Sequence, residues 1–303
     1  MSIVLTSGGP VKFPGLDLTI EHLIEGFYVF GIHISLSGIL IALAMFLGLF
    51  ITERLAKKTE QNTETYLDLA IRLVLAGIIG ARAGHVVTHW QHFAYDQANV
   101  LNIRDGGMSF GGALVAGLLV SFIYCRQKKI SWLQVCDTML PGVVFGQMIG
   151  KVGEFFDRSQ LGTYSDGLFA MQVDMASVDA DVMKLGRTSS NMIKGNFLQV
   201  HPVTLYEIVL LVLLFLSLVI LFRFHNLNGM ILSVYLMVYG SIRFGLEFIR
   251  LSSVRMIGSP VSLEHMVALL FVVFGFIIFV DQIKKRRVIQ KERPKNFHFS
   301  PKK

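Results

Sequence analysis

The sequence predicts an all-α membrane protein with seven transmembrane helices, and three observations support this fold class. Of its 303 residues, 53% are hydrophobic and only 16% are charged, and the mean hydropathy is +0.57. Apolar segments of about 17 to 25 residues recur, which is the length that a bilayer requires. Lys and Arg are concentrated in alternate connections between these segments. A soluble protein of this size does not need so apolar a composition.

The predicted helices correspond to seven apolar segments. In chain order they are 27–51, 67–90, 108–125, 132–156, 202–222, 230–249 and 263–283. The first, sixth and seventh are recognised by apolar length alone. The second contains Gly80 and Gly84, at a spacing that lets membrane helices approach closely, and similar pairs occur at the start of the third and within the fourth. The fifth begins His-Pro, and proline is favoured at the first position of a helix.

The distribution of basic residues predicts the orientation. Sixteen of the 28 Lys and Arg residues follow the first, third, fifth and seventh segments, whereas seven lie on the opposite side. The richer side is expected to be cytoplasmic, so the N-terminus lies outside and the C-terminus inside. We expect one domain over 1–303, with a small extracytoplasmic head at about 158–200 and a basic tail at 284–303. The net charge of +7 then reflects topology and anionic lipids rather than nucleic acid.

Ionisable side chains within the apolar segments are the strongest functional signal. A charge at the bilayer centre costs roughly 2.5 to 3.5 kcal/mol on insertion scales, so such residues usually have a partner or a function. A rise of about 1.5 Å per residue places Arg82, Lys151 and Arg243 about 20 to 28 Å from the cytoplasmic face, and Glu207 about 9 Å below the outer face. All four therefore lie in the outer half of a core about 30 Å thick, where an outer-leaflet headgroup would bind.

Charged residues also recur at helical spacing. Arg243, Glu247 and Arg250 are separated by four and then three residues in and just after the sixth segment. In and just after the fourth segment, the residues at successive spacings of three are Lys151, Glu154 and Asp157. Each set shares a helix face and can pair. Structural ion pairing between helices remains the alternative, but several cations in one layer favour an anion site.

The start of the fifth segment provides a candidate base beside this layer. His201 precedes Pro202, and Tyr206 and Glu207 follow within two turns. A helix N-terminus also favours bound anions. A single interfacial histidine is usually unremarkable, but these neighbours favour a functional role. The two cysteines, Cys125 and Cys136, do not make a metal site on their own, so no metal or other cofactor is expected.

Six motifs in a fixed order identify a resemblance from about residue 31 to residue 275. They are 80–84 (Gly-Ala-Arg-Ala-Gly), 107–110 (Gly-Met-Ser-Phe), 137–141 (Asp-Thr-Met-Leu-Pro), 146–155 (Gly-Gln-Met-Ile-Gly-Lys-Val-Gly-Glu-Phe), 201–207 (His-Pro-Val-Thr-Leu-Tyr-Glu) and 239–250 (Tyr-Gly-Ser-Ile-Arg-Phe-Gly-Leu-Glu-Phe-Ile-Arg). In this order the chain resembles the prolipoprotein diacylglyceryl transferases of the bacterial inner membrane. These multi-pass enzymes transfer the diacylglyceryl group of phosphatidylglycerol to the lipobox cysteine thiol of prolipoproteins and release glycerol phosphate.

The resemblance implies roles for individual residues. Arg243 and Lys151 would hold the phosphate, because a departing phosphate needs cations, and His201 and Glu207 would serve the reaction, because a thiol needs a base. The remaining residues implied in substrate binding are Arg82, Ser109, Glu154, Asp157, Tyr206 and Glu247. The implied partners are phosphatidylglycerol, the prolipoprotein signal peptide and membrane lipids, with no nucleic acid.

The chain departs from the family pattern at several positions. The fourth-segment signature usually reads Gly-Arg-x-Gly-Asn-Phe-x-Asn-x-Glu, and the substituted positions here are Lys151, Glu154, Asp157 and Ser159. Gly111 replaces the usual His after Ser-Phe, and Ser37 replaces a Tyr. Lysine cannot present the planar fork that arginine offers a phosphate. The alternatives left open are a paralogue that is inactive or uses another lipid donor or acceptor, and a lipid transporter.

Overall fold

A computed structural model describes residues 4–94, 100, 107–178, 190–224, 228–251 and 261–292. Within these ranges the seven predicted helices are present. They are α1 Leu36–Lys58, α2 Thr63–Thr88, α3 Phe110–Lys128, α4 Trp132–Phe156, α5 Val203–Phe224, α6 Met230–Glu247 and α7 Leu263–Glu292. A one-turn helix, Trp90–Phe93, follows α2. The prediction of seven long helices is confirmed.

Six of these helices are long and apolar enough to cross a membrane, namely α1, α2, α3, α5, α6 and the part Leu263–Lys285 of α7. The protein is therefore a multi-pass membrane protein. Helix α4 is the exception: at 25 residues it is long enough, but polar residues such as Gln134, Asp137, Gln147 and Lys151 dilute its apolar character. The seventh crossing thus remains a prediction.

The expectation of an all-α chain was wrong in one respect, because the described residues also form two small antiparallel sheets. The strands are β1 Val4–Gly8, β2 Val11–Phe13, β3 Leu18–Ile20, β4 Leu23–Val29, β5 Ile32–Ser35, β6 Met171–Asp174, β7 Ile193–Lys194 and β8 Phe197–Val200. One sheet has the order β1-β4-β5, and the other has the order β3-β2-β6-β8-β7.

The first predicted helix began too early. Residues 27–35, which were assigned to it, form most of the β4–β5 hairpin, and α1 begins at Leu36. Phe30 and Gly31 have φ values of 51° and 79°, the left-handed conformation of a two-residue hairpin turn. An apolar run rich in aromatic and β-branched residues suits a strand as well as a helix, so apolar length could not locate this boundary.

The second sheet forms the core of the predicted head. Val11 of β2 pairs with Val173 of β6, so N-terminal strands complete a sheet whose other strands come from the 158–200 region. Val11, Val173, Leu198 and Val200 are fully buried in its apolar core. The sheet at the predicted head, 158–200, therefore includes residues from the N-terminal segment.

The chain divides into two compact units. The first comprises Met1–Gly48 and Leu140–Lys303, and the second comprises Leu49–Met139. In the second unit, α2 and α3 pack closely, because a Cβ on Gly80 would stand 2.6 Å from the carbonyl oxygen of Gly112. The predicted packing role of Gly80 is confirmed, and its partner is Gly112. The first unit contains both sheets and a charged cluster that includes Lys151, Glu207 and Arg243.

Candidate active site

A buried carboxylate in the second turn of α5 lies at the centre of the charged cluster. The Glu207 side chain is only 1% exposed, and its Oε2 lies 3.0 Å from Lys151 Nζ of α4. Arg243 Nη1 of α6 lies 3.4 Å from both Glu207 oxygens. A carboxylate removed from water needs such partners, because an unpaired buried charge is strongly unfavourable. Three helices therefore converge on one carboxylate.

A second acidic residue accompanies Lys151 on its own helix. Lys151 Nζ donates to Glu154 Oε2 at 2.7 Å, the predicted pairing of residues three apart. The lysine side chain is 11% exposed, whereas that of Glu154 is 34% exposed. Lys151 thus has one deeply buried partner and one partner that remains accessible.

Two arginines meet at a carboxylate that the sequence did not suggest. Arg243 Nη2 and Arg250 Nη1 each donate to Glu264 Oε2 at 2.8 Å. Arg250 Nη1 also lies 3.5 Å from Glu247 Oε2, which confirms the expected pairing three residues apart. Arg243, however, pairs with Glu207 and Glu264 rather than with Glu247, because its side chain reaches toward α5 and α7.

A hydrogen-bonded cap at the start of α7 supports this arrangement. The Ser262 hydroxyl donates to Glu247 Oε1 at 3.0 Å and accepts the backbone N–H of His265 at 3.3 Å. His265 Nδ1 in turn accepts the Ser262 backbone N–H at 3.1 Å. This reciprocal pattern is a capping box in which histidine takes the place of the usual Glu or Gln. It orients Glu247 and places Glu264 in the first turn of the helix.

Polar aromatic residues on α6 lie one and two turns before Arg243. The rings of Tyr235 and Tyr239 stack with centroids 5.3 Å apart. Gln147 Nε2 of α4 donates to the Tyr235 hydroxyl at 2.9 Å. These contacts connect α4 and α6 beside the ion pairs and restrict the rotation of α6, which decides where Arg243 points.

The candidate base has different neighbours from the charged cluster. Within the described residues, the His201 ring hydrogen-bonds the Tyr206 hydroxyl, at 3.5 Å. Its backbone N–H donates to Thr163 O at 2.9 Å, and its carbonyl accepts the Gly162 N–H at 3.1 Å. Burial lowers the pKa of His201, and the charge of Asp166 opposes this shift. The ring is therefore neutral at neutral pH, as a proton acceptor must be.

An apolar cavity of about 630 Å³ lies next to Tyr206. It lies between residues 13–20, from the end of β2 to the end of β3, and the start of α5. Its lining is entirely apolar apart from the Tyr206 side chain. The other lining residues are Phe13, Leu16, Leu18, Ile20, Phe155, Phe169, Pro202, Leu205, Val209 and Leu210. Its volume falls within the usual range for small-molecule sites, and its lining suits a hydrocarbon group.

Asp157 does not join the ion pairs as the sequence suggested. Helix α4 ends at Phe156, and Asp157 is exposed, with no ion pair among the described residues. The next residue, Arg158, is buried instead: it pairs with Glu25 at 2.5 Å and donates to Gly9 O at 2.8 Å. Arg158 therefore links the end of α4 to the N-terminal strands. A substrate-binding role for Asp157 remains a prediction.

Two further predicted site residues lie in the second unit. Arg82 of α2 is buried and donates to the carbonyl oxygens of Val100 and Gly107 at 2.8 and 3.1 Å. Ser109 caps α3 by accepting the Gly112 N–H. Arg82 thus links α2 to two described residues of the connection that follows it. Lipid binding by Arg82 and Ser109 therefore remains a prediction.

Comparison with known proteins gives an independent classification. Residues 26–281 match the family described as prolipoprotein diacylglyceryl transferase. The chain belongs to this family. The resemblance seen in the sequence motifs is therefore confirmed.

Relatives in this family match along most of their length. A protein of Finegoldia magna named phosphatidylglycerol–prolipoprotein diacylglyceryl transferase is 30% identical over 270 residues, which is 89% of this chain and 98% of the relative. Proteins with the same name from Clostridioides difficile and Thermosynechococcus vestitus are 29% and 30% identical over 86% and 78% of this chain. The matched residues make up 96% and 84% of these two relatives.

In this diacylglyceryl transferase family member, Glu264 and its cap were not predicted from the sequence. The available signal was the sequence Ser-Leu-Glu-His at 262–265, where a capping serine precedes an acidic residue at the start of the last apolar segment. Among the described residues, no group of three His, Cys, Asp or Glu side chains is placed to hold a metal ion.

Exposure divides the carboxylates of this transferase-family site into two kinds. Breaking a buried pair such as Lys151–Glu207 by removing one partner costs about 3 to 5 kcal/mol. Exposed pairs contribute about 0 to 1 kcal/mol, and Glu264, at 51% exposure, approaches that case. Glu207 is therefore a fixed part of the site, whereas Glu264 is its most accessible carboxylate.

Proposed function

We propose that this protein transfers the diacylglyceryl group of phosphatidylglycerol to the lipobox cysteine thiol of prolipoproteins, in the bacterial cytoplasmic membrane. The single observation that carries the proposal is the convergence of Lys151 and Arg243 on buried Glu207, with Arg250 beside Arg243. Family membership over residues 26–281 and the names of the relatives support the same reaction.

The cations supply what the leaving group requires. In the proposed reaction the cysteine sulfur attacks the glyceryl carbon that carries the phosphate. A C–S bond forms as the C–O bond to phosphate breaks, and glycerol phosphate departs with the electron pair. Arg243 and Arg250 present N–H groups at a partly exposed position, where they can bind the phosphate oxygens and stabilise the added negative charge.

His201 is the proposed general base, which accepts the thiol proton. Its half-buried ring has a lowered pKa and is neutral at neutral pH. Glu207 is less suited to this role, because its carboxylate is already paired with two cations. We assign Glu207 to positioning Lys151 and Arg243, and Tyr206 to orienting His201 beside the apolar cavity. That cavity suits an acyl chain of the lipid donor.

The distribution of Lys and Arg supports the orientation proposed for this reaction. With the N-terminus outside and the C-terminus cytoplasmic, the charged cluster lies toward the outer leaflet. The second sheet then forms the extracytoplasmic head, and residues 1–303 act as one domain.

One observation favours a second candidate, a paralogue with another lipid donor or acceptor. Lys151 replaces the arginine of the family signature, and Glu154 brings an added carboxylate within 2.7 Å of it. The added negative charge of Glu154 beside the phosphate position would disfavour a lipid donor whose phosphate carries more negative charge.

The test is transfer by purified protein from phosphatidylglycerol to a lipobox peptide, with the peptide's cysteine replaced by serine as the control. The proposal expects a diacylglyceryl thioether on the cysteine peptide only. Transfer from a different lipid, with none from phosphatidylglycerol, would support the paralogue. Movement of labelled lipid across liposome membranes without any transfer would support a transporter.

A further inference from the structure

One feature of the charged cluster is not explained by pairing alone. Arg243 and Arg250 point their guanidinium groups at a single oxygen, Oε2 of Glu264, each at 2.8 Å. The arginine side chains are 23% and 13% exposed, whereas Glu264 is 51% exposed. Glu264 is therefore the most exposed of the three side chains, and it occupies an N–H group of each arginine that another anion could bind.

The local structure holds Glu264 in this position. It lies in the first turn of α7, where the helix dipole favours a negative charge. The reciprocal bonds between Ser262 and His265 fix the backbone on either side of it. Within the described residues, both of its ion-pair partners are these two arginines. The start of the helix thus positions the carboxylate, and its ion pairs among the described residues are made with the arginine pair.

A carboxylate and a phosphodiester bind arginine in the same way, because each accepts hydrogen bonds from the N–H groups of the guanidinium. We propose that Glu264 is an intramolecular competitor for the phosphate of the lipid donor. It neutralises the arginine pair before the lipid binds and must leave when the phosphate arrives. Glu264 thereby sets the affinity for anionic lipid. This inference depends on the proposed function, in which these arginines bind the phosphate.

The charges of the cluster explain why Glu264 must leave. Among the described residues, three cations (Lys151, Arg243, Arg250) are joined by ion pairs to four carboxylates (Glu154, Glu207, Glu247, Glu264). A phosphate added to this set would bring a fifth negative charge. Glu207 and Glu247 are buried and tied to other groups, so neither can move to solvent. Glu154 and Glu264 are partly exposed, and of these two it is Glu264 that pairs with both arginines. Glu264 can move to solvent by a change of side-chain conformation.

The experiment compares wild-type protein with Glu264→Gln and Glu264→Ala in two separate assays. The binding assay measures the Kd for phosphatidylglycerol in mixed micelles, with diacylglycerol, which lacks the phosphate, as the comparison lipid. The transfer assay measures KM for phosphatidylglycerol and kcat. Glu64→Gln is the matched control, because Glu64 also lies in the first turn of an apolar helix, α2.

We expect both Glu264 variants to lower the Kd and KM for phosphatidylglycerol about two- to fivefold. This factor corresponds to the free energy that an exposed ion pair contributes. The Kd for diacylglycerol and the behaviour of Glu64→Gln should not change. Unchanged or weaker phosphatidylglycerol binding in both variants would overturn the inference. The transfer assay reports separately on the proposed function: wild-type protein that transfers nothing would contradict that function, while the binding assay would still decide the role of Glu264.

Discussion

Lys151 and Glu207 form an ion pair 3.0 Å long in which the carboxylate is almost completely buried. Because Arg243 contacts the same carboxylate, this pair fixes the positions of two cations on different helices. Substitutions can therefore separate the groups that hold the site together from those that act on the substrate.

The Lys151–Glu207 pair predicts a large difference between two carboxylates that share a lysine. Glu207→Gln should destabilise the folded protein by about 3 to 5 kcal/mol, because it removes the buried counterion that Lys151 and Arg243 share. Glu154→Gln should cost about 1 kcal/mol or less, since Glu154 is partly exposed. Thermal unfolding in detergent measures both. Equal losses would contradict the central position of Glu207.

Arg243→Ala should reduce diacylglyceryl transfer by at least about a hundredfold, the loss typical of removing a group that stabilises developing negative charge. The protein should still reach the membrane, which fractionation and immunoblotting would show. Arg126→Ala, at an exposed position near the end of α3, is the control and should leave transfer unchanged. Wild-type transfer by Arg243→Ala would rule out its role in phosphate binding.

Lys151→Arg restores the residue of the family signature and should keep or raise the transfer rate. Arginine remains charged, can still reach Glu207, and adds a planar fork for the phosphate. Lys57→Arg, at an exposed position, is the control. A collapse of activity in correctly folded Lys151→Arg would show instead that the site is adapted to lysine and to a different donor.

His201 predicts the pH dependence of transfer. A base must be neutral to accept a proton, so kcat/KM should fall as pH drops through the pKa of His201. Burial lowers that pKa below its ordinary value of 6.5, so activity should persist to a lower pH than an exposed histidine would allow. His201→Asn should abolish transfer, whereas His22→Asn, at an exposed position, should not. If His201→Asn keeps some activity and its kcat/KM still falls at low pH as in the wild type, His201 is excluded as the base.

Two glycines of α2 provide a test of helix packing. Gly80→Ala should lower the stability by about 1 to 3 kcal/mol, because its Cβ would press against the Gly112 carbonyl of α3. Gly77→Ala, on the same helix, has nothing within 4 Å of its new Cβ. It should be neutral or stabilise by up to about 1 kcal/mol, through the higher helix propensity of alanine. Thermal unfolding distinguishes the two outcomes.

Several site contacts followed from sequence spacing, and others did not. The pairs Lys151–Glu154 and Glu247–Arg250 are local to one segment, so a separation of three residues was enough to predict them. Asp157 has the same spacing from Glu154, but it lies past the end of α4 and is exposed. Spacing predicts a shared face only while the helix continues.

The sequence by itself determined the membrane class, the seven helices and the family, because apolar length and ordered motifs are properties of the chain. Only the tertiary structure decided that residues 27–35 form strands, that β2 completes the head sheet, and that Arg243 pairs with Glu207 and Glu264. The physical reason is that strand pairing and the rotation of each helix depend on packing between segments distant in sequence. Hydropathy measures how apolar a segment is and so indicates that it is buried in lipid or protein. It does not identify the partner of a charged side chain.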